Sequence, residues 1–237
     1  YARSDVYGQN YNLLGDPIGG EYRVNTTTYQ TQADPSVSSF SDGSFIVTWE
    51  ANYQDGDSSY YNIYAQRYSQ DGDAIGGEFR VNTDYTSYSQ TNPSVTALAN
   101  DGYVVTWDDY RGSGDIYGQA YNADGSELND EFRVNTGVNS DQVHSSVEAL
   151  ADGGFVVAWH SRYQDTGSSD YGVYGQRYNA SGSNVGDEFM VHQYTGGQQY
   201  YPSVAAHGDG FVVTWRDDAG NEDGRGGSGL DVFGRIF

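Results

Sequence analysis

An internal repeat built around four tryptophans constrains this chain more than any other feature. FIVTW ends at Trp49, YVVTW at Trp107, FVVAW at Trp159 and FVVTW at Trp215, at spacings of 58, 52 and 56 residues. A slim segment precedes each: PSVSSF from Pro35, PSVTAL from Pro93, SSVEAL from Ser145 and PSVAAH from Pro202. NIYAQRY, DIYGQAY, GVYGQRY and DVFGRIF follow them, and a last segment reads GEYRVN, GEFRVN, DEFRVN or DEFMVH, beginning at Gly20, Gly77, Asp130 and Asp187. These segments are termed a, b, c and d in the order PSV, tryptophan, YGQRY and EFRVN. A period of this length marks supersecondary units that bury a continuous core only by stacking on one another.

Each segment has strand chemistry. Segment b is a nearly continuous run of Val, Phe and Trp, as in a strand covered on both faces. Segment c alternates, with Tyr64, Gln66 and Tyr68 on one side and Ile63, Ala65 and Arg67 on the other, which predicts a half-buried or outer strand. Asp-Gly pairs at Asp42, Asp101, Asp152 and Asp209 join a to b, and such pairs supply the positive φ of tight hairpins. No stretch carries a convincing helical period. The expected fold is therefore all-β: a β-propeller of about four four-stranded antiparallel blades, with an open β-repeat array as the alternative.

A chain of 237 residues buries enough core for one all-β domain, so residues 1-237 are read as a single repeat domain. Its units run approximately over 5-34 (segments c and d only), 35-92, 93-144, 145-201 and 202-237 (lacking d). Segment c occurs five times, the others four times. Closure by a mixed blade, with the N-terminal EYRVN beside the C-terminal strands and DVFGRIF as its third strand, would tie the termini together. Val6 to Tyr11 would then be a spare edge, open to self-association or a neighbouring domain.

The charge balance excludes several partners. Eleven basic residues, all arginine, face 33 acidic ones for a net charge of -22, which repels nucleic acid and anionic membrane surfaces. No apolar run reaches the roughly 20 residues that span a bilayer. With no cysteine there is no disulfide framework and no thiolate nucleophile or ligand. The 23 tyrosines and four tryptophans, set against 32 glycines, favour a packed fold over disorder.

The b-to-c and d-to-a connections lie at one end of an up-and-down meander, and they are the long, uneven ones; that face is where a ligand is expected. Three b-to-c loops share a pattern: Tyr53, Gln54 and Asp55; Tyr110 and Arg111; Tyr163, Gln164 and Asp165. The d-to-a loops add Gln32, Gln90, Gln142 and Gln199, each three residues ahead of segment a. An aromatic face beside carboxylate and amide groups equips a site to hold a sugar ring. Equal spacing is also what packing of each loop on its neighbour demands, so binding and packing roles both stand for these residues. Carboxylates spaced one or two residues apart beside glycine, at Asp55 and Asp57, Asp71 and Asp73, and around Asp223, make calcium the expected cofactor, if any.

Catalytic signals are sparse. The four histidines fall in non-equivalent parts of their repeats, and His160, beside Arg162 and Tyr163, is the one acid/base candidate. The segment SDGSFIVTW invites comparison with the Asp-box of sialidases, but the interval from Asp42 to Trp49 is too long for that box.

The combination PSVxAL, DGGFVVTW, YGQRYN and GxEFxVNT resembles the tandem repeats of very large secreted bacterial proteins, many of them calcium-binding RTX-type exoproteins and adhesins. The resemblance covers essentially the whole chain and implies a secreted, extracellular setting. The RTX nonapeptide itself is absent; GRGGSGLD, Gly224 to Asp231, is its nearest stretch. The function expected from residues and resemblance together is a non-catalytic, lectin-like carbohydrate-binding or adhesive module whose partner is a glycan. A self-assembling structural module and a polysaccharide-cleaving enzyme are the alternatives.

Overall fold

The computed structural model describes residues 4-54, 60-83, 87-137, 140-164, 171-193, 197-218 and 230-237. They form 17 strands in five antiparallel sheets, with no helix among them. The first sheet pairs β1 (Tyr7–Tyr11) with β2 (Pro17–Arg23). Three complete meanders follow in simple order: β3 (Gln32–Ser39), β4 (Phe45–Asn52), β5 (Tyr61–Tyr68) and β6 (Ala74–Arg80); β7 (Gln90–Ala97), β8 (Tyr103–Asp109), β9 (Asp115–Tyr121) and β10 (Phe132–Arg133); β11 (Gln142–Ala149), β12 (Phe155–Arg162), β13 (Tyr171–Tyr178) and β14 (Asn184–Met190). The last sheet has three strands, β15 (Gln199–His207), β16 (Gly210–Asp217) and β17 (Asp231–Ile236). We number these sheets blades 1 to 5.

Four apolar cores lie between consecutive blades. In the second, Ile46, Ile63 and Ala65 of blade 2 meet Val95, Val105 and Trp107 of blade 3. The third and fourth repeat the pattern with Trp159 and Trp215, and the first sets Val47 and Trp49 against Val6 and Val24. Each tryptophan thus faces the preceding blade. Segment b is buried in the three complete blades apart from the partly buried Phe45, Asn52 and Arg162 at strand ends, as a strand covered on both faces must be.

Segment c departs from the half-exposed strand that its alternation predicts. Residues Asn62 to Gln66 are all buried, and the exposed outer strand is segment d. The amide of Gln66 makes this affordable: its Nε2 donates to the carbonyls of Arg67 and Ile75, so a polar side chain enters the blade with its donors satisfied. The asparagine closing EFRVN is buried for a similar reason. Asn25, Asn82 and Asn135 each accept a backbone N–H at the same place in segment c, from Val6, Ile63 and Ile116 at 2.7 Å, and in the fourth repeat His192 Nδ1 takes that part with Val173.

The expected mixed closing blade does not form. β2 pairs with its own hairpin partner β1, whereas β17 pairs with β16 alone, so the N- and C-terminal strands stay in separate sheets. Val6 to Tyr11 is therefore not displaced from its own repeat: Tyr7 and Gly8 sit opposite Arg23 and Tyr22, the register of the c and d strands in the complete blades, and β1 is an edge of that two-stranded sheet. Local pairing already satisfies this ladder, and a swap would break it for no added hydrogen bonds.

Candidate functional site at the blade axis

Each first strand of blades 2 to 5 carries one bulge, at the same place in the repeat. Register shifts fall between Ala33 and Ser36, Thr91 and Ser94, Val143 and Ser146, and Tyr200 and Ser203. Inside each shift one residue takes a left-handed backbone: Asp34 at φ 48°, Asn92 at 52°, His144 at 57° and Tyr201 at 51°. A bulge re-aims a side chain at the cost of local strain, and such strain gathers where a site is built. Here all four re-aimed residues, with Pro35, Pro93, Ser145 and Pro202, line one funnel of about 390 Å³ where the first strands converge.

The second strands supply the floor. The residue following each repeat tryptophan is Glu50, Asp108, His160 or Arg216, and each of the first three accepts the bulge N–H of the next blade. Asn92 N donates to Glu50 Oε2 at 3.0 Å, His144 N to Asp108 Oδ1 at 2.8 Å, and Tyr201 N to His160 Nδ1 at 3.3 Å. Asn92 also donates from Nδ2 to Asp108 Oδ2 at 2.8 Å, so one asparagine ties the two carboxyl groups together. His144 stacks on His160 with centroids 5.1 Å apart, and Tyr171, Tyr200 and Tyr201 surround His160 edge-on.

Burial sets the protonation of this floor. Desolvation pushes the Glu50 carboxyl up to about 7, reinforced by the Asp34 carboxylate and opposed by the Asn92 N–H. Desolvation also lifts Asp108 to about 7, against hydrogen bonds from His144, Asn92 and Ser145. His160 moves the other way, down to about 3, because burial penalises the imidazolium and His144 adds to the penalty. At neutral pH the floor therefore holds partly protonated carboxyls beside a neutral imidazole, with the exposed Asp34 at the mouth.

The residues expected from the loops are placed differently. Gln32, Gln90, Gln142 and Gln199 are wholly buried and serve packing. Gln90 accepts from Asn82 and donates to Asp109, and Gln142 accepts from Asn135 and donates to Ser161, joining the end of one blade to the second strand of the next. Gln32 and Gln199 bond Tyr29 and Asp217 respectively. Gln54 and Gln164 donate to Glu78 and Glu188, carboxylates that also hold Thr26 and Thr136 of the preceding blade, while Arg111 is bound to Asp109 at 2.8 Å and stacks over Tyr117 at 4.0 Å. Of the shared loop pattern, Tyr53, Tyr110 and Tyr163 stand exposed on this face. Gln90→Ala is expected to cost about 1–3 kcal/mol in urea denaturation, since it removes one of the two acceptors of the buried Asn82 Nδ2, whereas Tyr53→Ala should stay within about 0.5 kcal/mol.

Of the residues considered for calcium, Asp71 and Asp73 sit exposed in the turn joining β5 to β6, whereas Asp55, Asp57 and Asp223 lie outside the described residues, as does Asp165. Among the described residues no three acidic or histidine side chains converge as a metal site.

No family model matches the sequence, and no curated protein does. Among solved structures the chain is similar to a Hadza microbial sialidase, with a TM-score of 0.60 at 12% identity over 86% of this chain and 44% of that one. It is also similar to the α-L-arabinofuranosidase of Lactobacillus brevis, at a TM-score of 0.53 and 12% identity over 81% of this chain and 65% of that one. The family-43 endo-arabinanase of Bacillus licheniformis gives 0.52 and 10% over 86% and 71%. The family-43 neighbours are five-bladed β-propeller enzymes. This chain has the β-propeller fold. At such identities the likeness is one of fold, and the propeller spans less than two thirds of the first two structures named.

This comparison corrects the expectation of a non-catalytic module, because a family-43 glycoside hydrolase and a family-43 endo-arabinanase are among the solved propellers that the chain is similar to. Sequence reasoning also passed over the axial funnel. It weighed the tyrosines and glutamines that recur at equivalent positions, whereas the funnel and the groups behind it are built where equivalent positions differ: Glu50, Asp108 and His160 after the tryptophans, and Asp34, Asn92, His144 and Tyr201 in the bulges. A site needs different groups in different roles, so departure from the repeat was the available signal.

Proposed function

We propose that this propeller hydrolyses a glycosidic bond in its axial funnel, with Glu50 as general acid and Asp34 as the carboxylate that activates water. The observation that carries it is the pairing of a buried, partly protonated Glu50 with an exposed Asp34 at a funnel mouth formed by four bulged strands. Glycoside hydrolysis requires two carboxyl groups held in opposite protonation states, and differing environments achieve this. Glu50 passes its proton to the departing glycosidic oxygen as the bond to the anomeric carbon breaks. Asp34 takes a proton from the water whose oxygen bonds that carbon, and water restores the starting states.

The remaining residues hold and orient. Asn92 fixes Glu50 Oε2, and Asp108, fully buried with both oxygens engaged, is a positioning residue that anchors Asn92 and the His144 backbone. Tyr201, exposed at the mouth beside His144, offers an aromatic face to a sugar ring. The names of the fold neighbours support carbohydrate as the substrate class. A net charge of -22 and the Asp34 carboxylate at the mouth disfavour anionic sugars, so a neutral polysaccharide such as arabinan is the expected substrate rather than a sialylated glycan. The test is reducing-sugar release from a panel of neutral and sialylated polysaccharides. Release from a neutral member supports the assignment, and a chain inert on all of them overturns it.

A further inference from the structure

Blades 4 and 5 depart from the repeat in a direction of their own. The pair of residues ahead of Pro35 is Ala33 and Asp34, and ahead of Pro93 it is Thr91 and Asn92; ahead of Ser145 it is Val143 and His144, and ahead of Pro202 it is Tyr200 and Tyr201. The funnel is divided accordingly, with a carboxylate and an amide from blades 2 and 3 facing an imidazole and a phenol ring from blades 4 and 5.

The rings do not stop at the mouth. His144 meets Tyr201 edge-on with centroids 4.8 Å apart, Tyr201 lies 5.9 Å from Tyr200, and Tyr200 lies 5.1 Å from Tyr171. The Arg162 guanidinium sits over Tyr171 at 5.6 Å and over Tyr163 at 4.5 Å. Buried His160 supports the middle of this run, with edge contacts to Tyr171, Tyr200 and Tyr201 at 5.1, 5.6 and 5.5 Å. Ring follows ring from the funnel wall to the end of β12, and Tyr201 at the mouth and Tyr163 at the far end are 53 and 49% exposed.

Backbone strain singles out the same members. His144, Tyr201 and Tyr163 are left-handed, at φ 57°, 51° and 59°. That conformation is an outlier for a bulky side chain, and glycine takes it at no steric cost. Burial does not repay the strain at Tyr163 and Tyr201, whose side chains stay exposed. Aromatics held in this way are a feature of ligand clamps. Stacking on Arg162 and His160 also fixes the rings before a ligand arrives, which lowers the ordering cost of binding.

We infer that this run of rings is a binding track for a neutral polysaccharide, holding the sugar units that continue from the funnel across blade 4. The class of the ligand rests on the proposed cleavage site, but binding on the track does not require that a bond be cut. Sugar rings lay their apolar faces on the tyrosines while their hydroxyls stay in water. Binding energy from units remote from the cleaved bond then favours long chains over a disaccharide.

Affinity electrophoresis of the Glu50→Gln chain, in gels containing arabinan or another neutral polysaccharide of the panel, reads binding apart from cleavage. Retardation by at least one neutral polysaccharide is expected, and Tyr163→Gly in that background should weaken it about tenfold. Because glycine relieves the left-handed backbone, the thermal unfolding midpoint should hold, and Tyr163→Phe should keep the retardation. Tyr53 is the control: it has the same backbone, at φ 57°, and is 41% exposed, but it lies on blade 2 outside the run, so Tyr53→Gly should leave most of the retardation. Absence of retardation by every neutral polysaccharide overturns the inference, and so does an equal loss from Tyr53→Gly and Tyr163→Gly. Retardation that depends on Tyr163, in a chain whose wild type releases no reducing sugar, supports the track and overturns the hydrolytic funnel instead.

Discussion

Glu50→Gln is expected to lower glycan hydrolysis by a factor of about 10²–10⁴ while the chain keeps its fold. Glutamine retains an oxygen that can accept the Asn92 N–H now held by Glu50 Oε2, so the bulge and funnel persist. What disappears is the proton. The wild-type rate should fall on the alkaline side with an apparent pKa near 7, the value to which burial lifts Glu50, and the variant should lose that limb. Asp34→Asn should lower turnover comparably without that shift, because it removes the water-activating carboxylate instead. Initial rates across pH, on the polysaccharide that the wild type cleaves, check both outcomes. A Glu50→Gln chain with wild-type turnover would remove the acid from the mechanism.

The second large effect is on stability against pH. Glu50 and Asp108 have folded-state values near 7 against ordinary values of 4.5 and 3.8, so the native state binds more protons than the unfolded chain between those limits. Stability then falls as pH rises through that window, by roughly 1.4 kcal/mol per pH unit for each group at full strength, and by less where the two share Asn92. His160 acts in the opposite sense. Its value near 3 lies below the usual 6.5, so the unfolded chain binds its proton first and stability is lost as pH falls through that range. Two carboxyls against one imidazole leave a net decline from about pH 4.5 to 7, of order 3 kcal/mol. Asp108→Asn should flatten the decline and His160→Gln should steepen it. Denaturant midpoints at a series of pH values read this directly, and a profile that rises across the window would contradict the burial of Glu50 and Asp108.

The first of these effects turns on residues that repeat logic treats as noise. Position 50 and its counterparts 108, 160 and 216 follow an invariant tryptophan, and the alignment that locates the blades places them within reach of the axis. Their differing chemistry was visible. That they sit on a floor was not, because it depends on which face of segment b turns towards the next blade. The bulges were less legible still. Asp34, Asn92, His144 and Tyr201 share no side-chain chemistry, and three precede proline, so nothing local marks them as left-handed. The buried glutamines were ambiguous for the opposite reason: an amide at equal spacing suits a repeated ligand contact and a repeated loop clamp equally, and only Asn82 and Asn135 decide for the clamp.

Period and alternation by themselves determined the all-β architecture, the four segments of each unit and the doubly covered second strand. These follow from short-range rules: side chains alternate along a strand, hairpins need positive φ, and an apolar run must be covered. Tertiary structure alone decided that segment c is buried, that the terminal strands remain in separate sheets, and that Glu50, Asp108 and His160 lie beneath one funnel. They depend on distant parts of the chain, 36 to 42 residues away in the bonds from the bulges to Glu50, Asp108 and His160, on which blade a face meets and on how far water is excluded there. No residue carries that information locally; the desolvation that moves Glu50 and His160 in opposite directions exists only once the blades have closed around them.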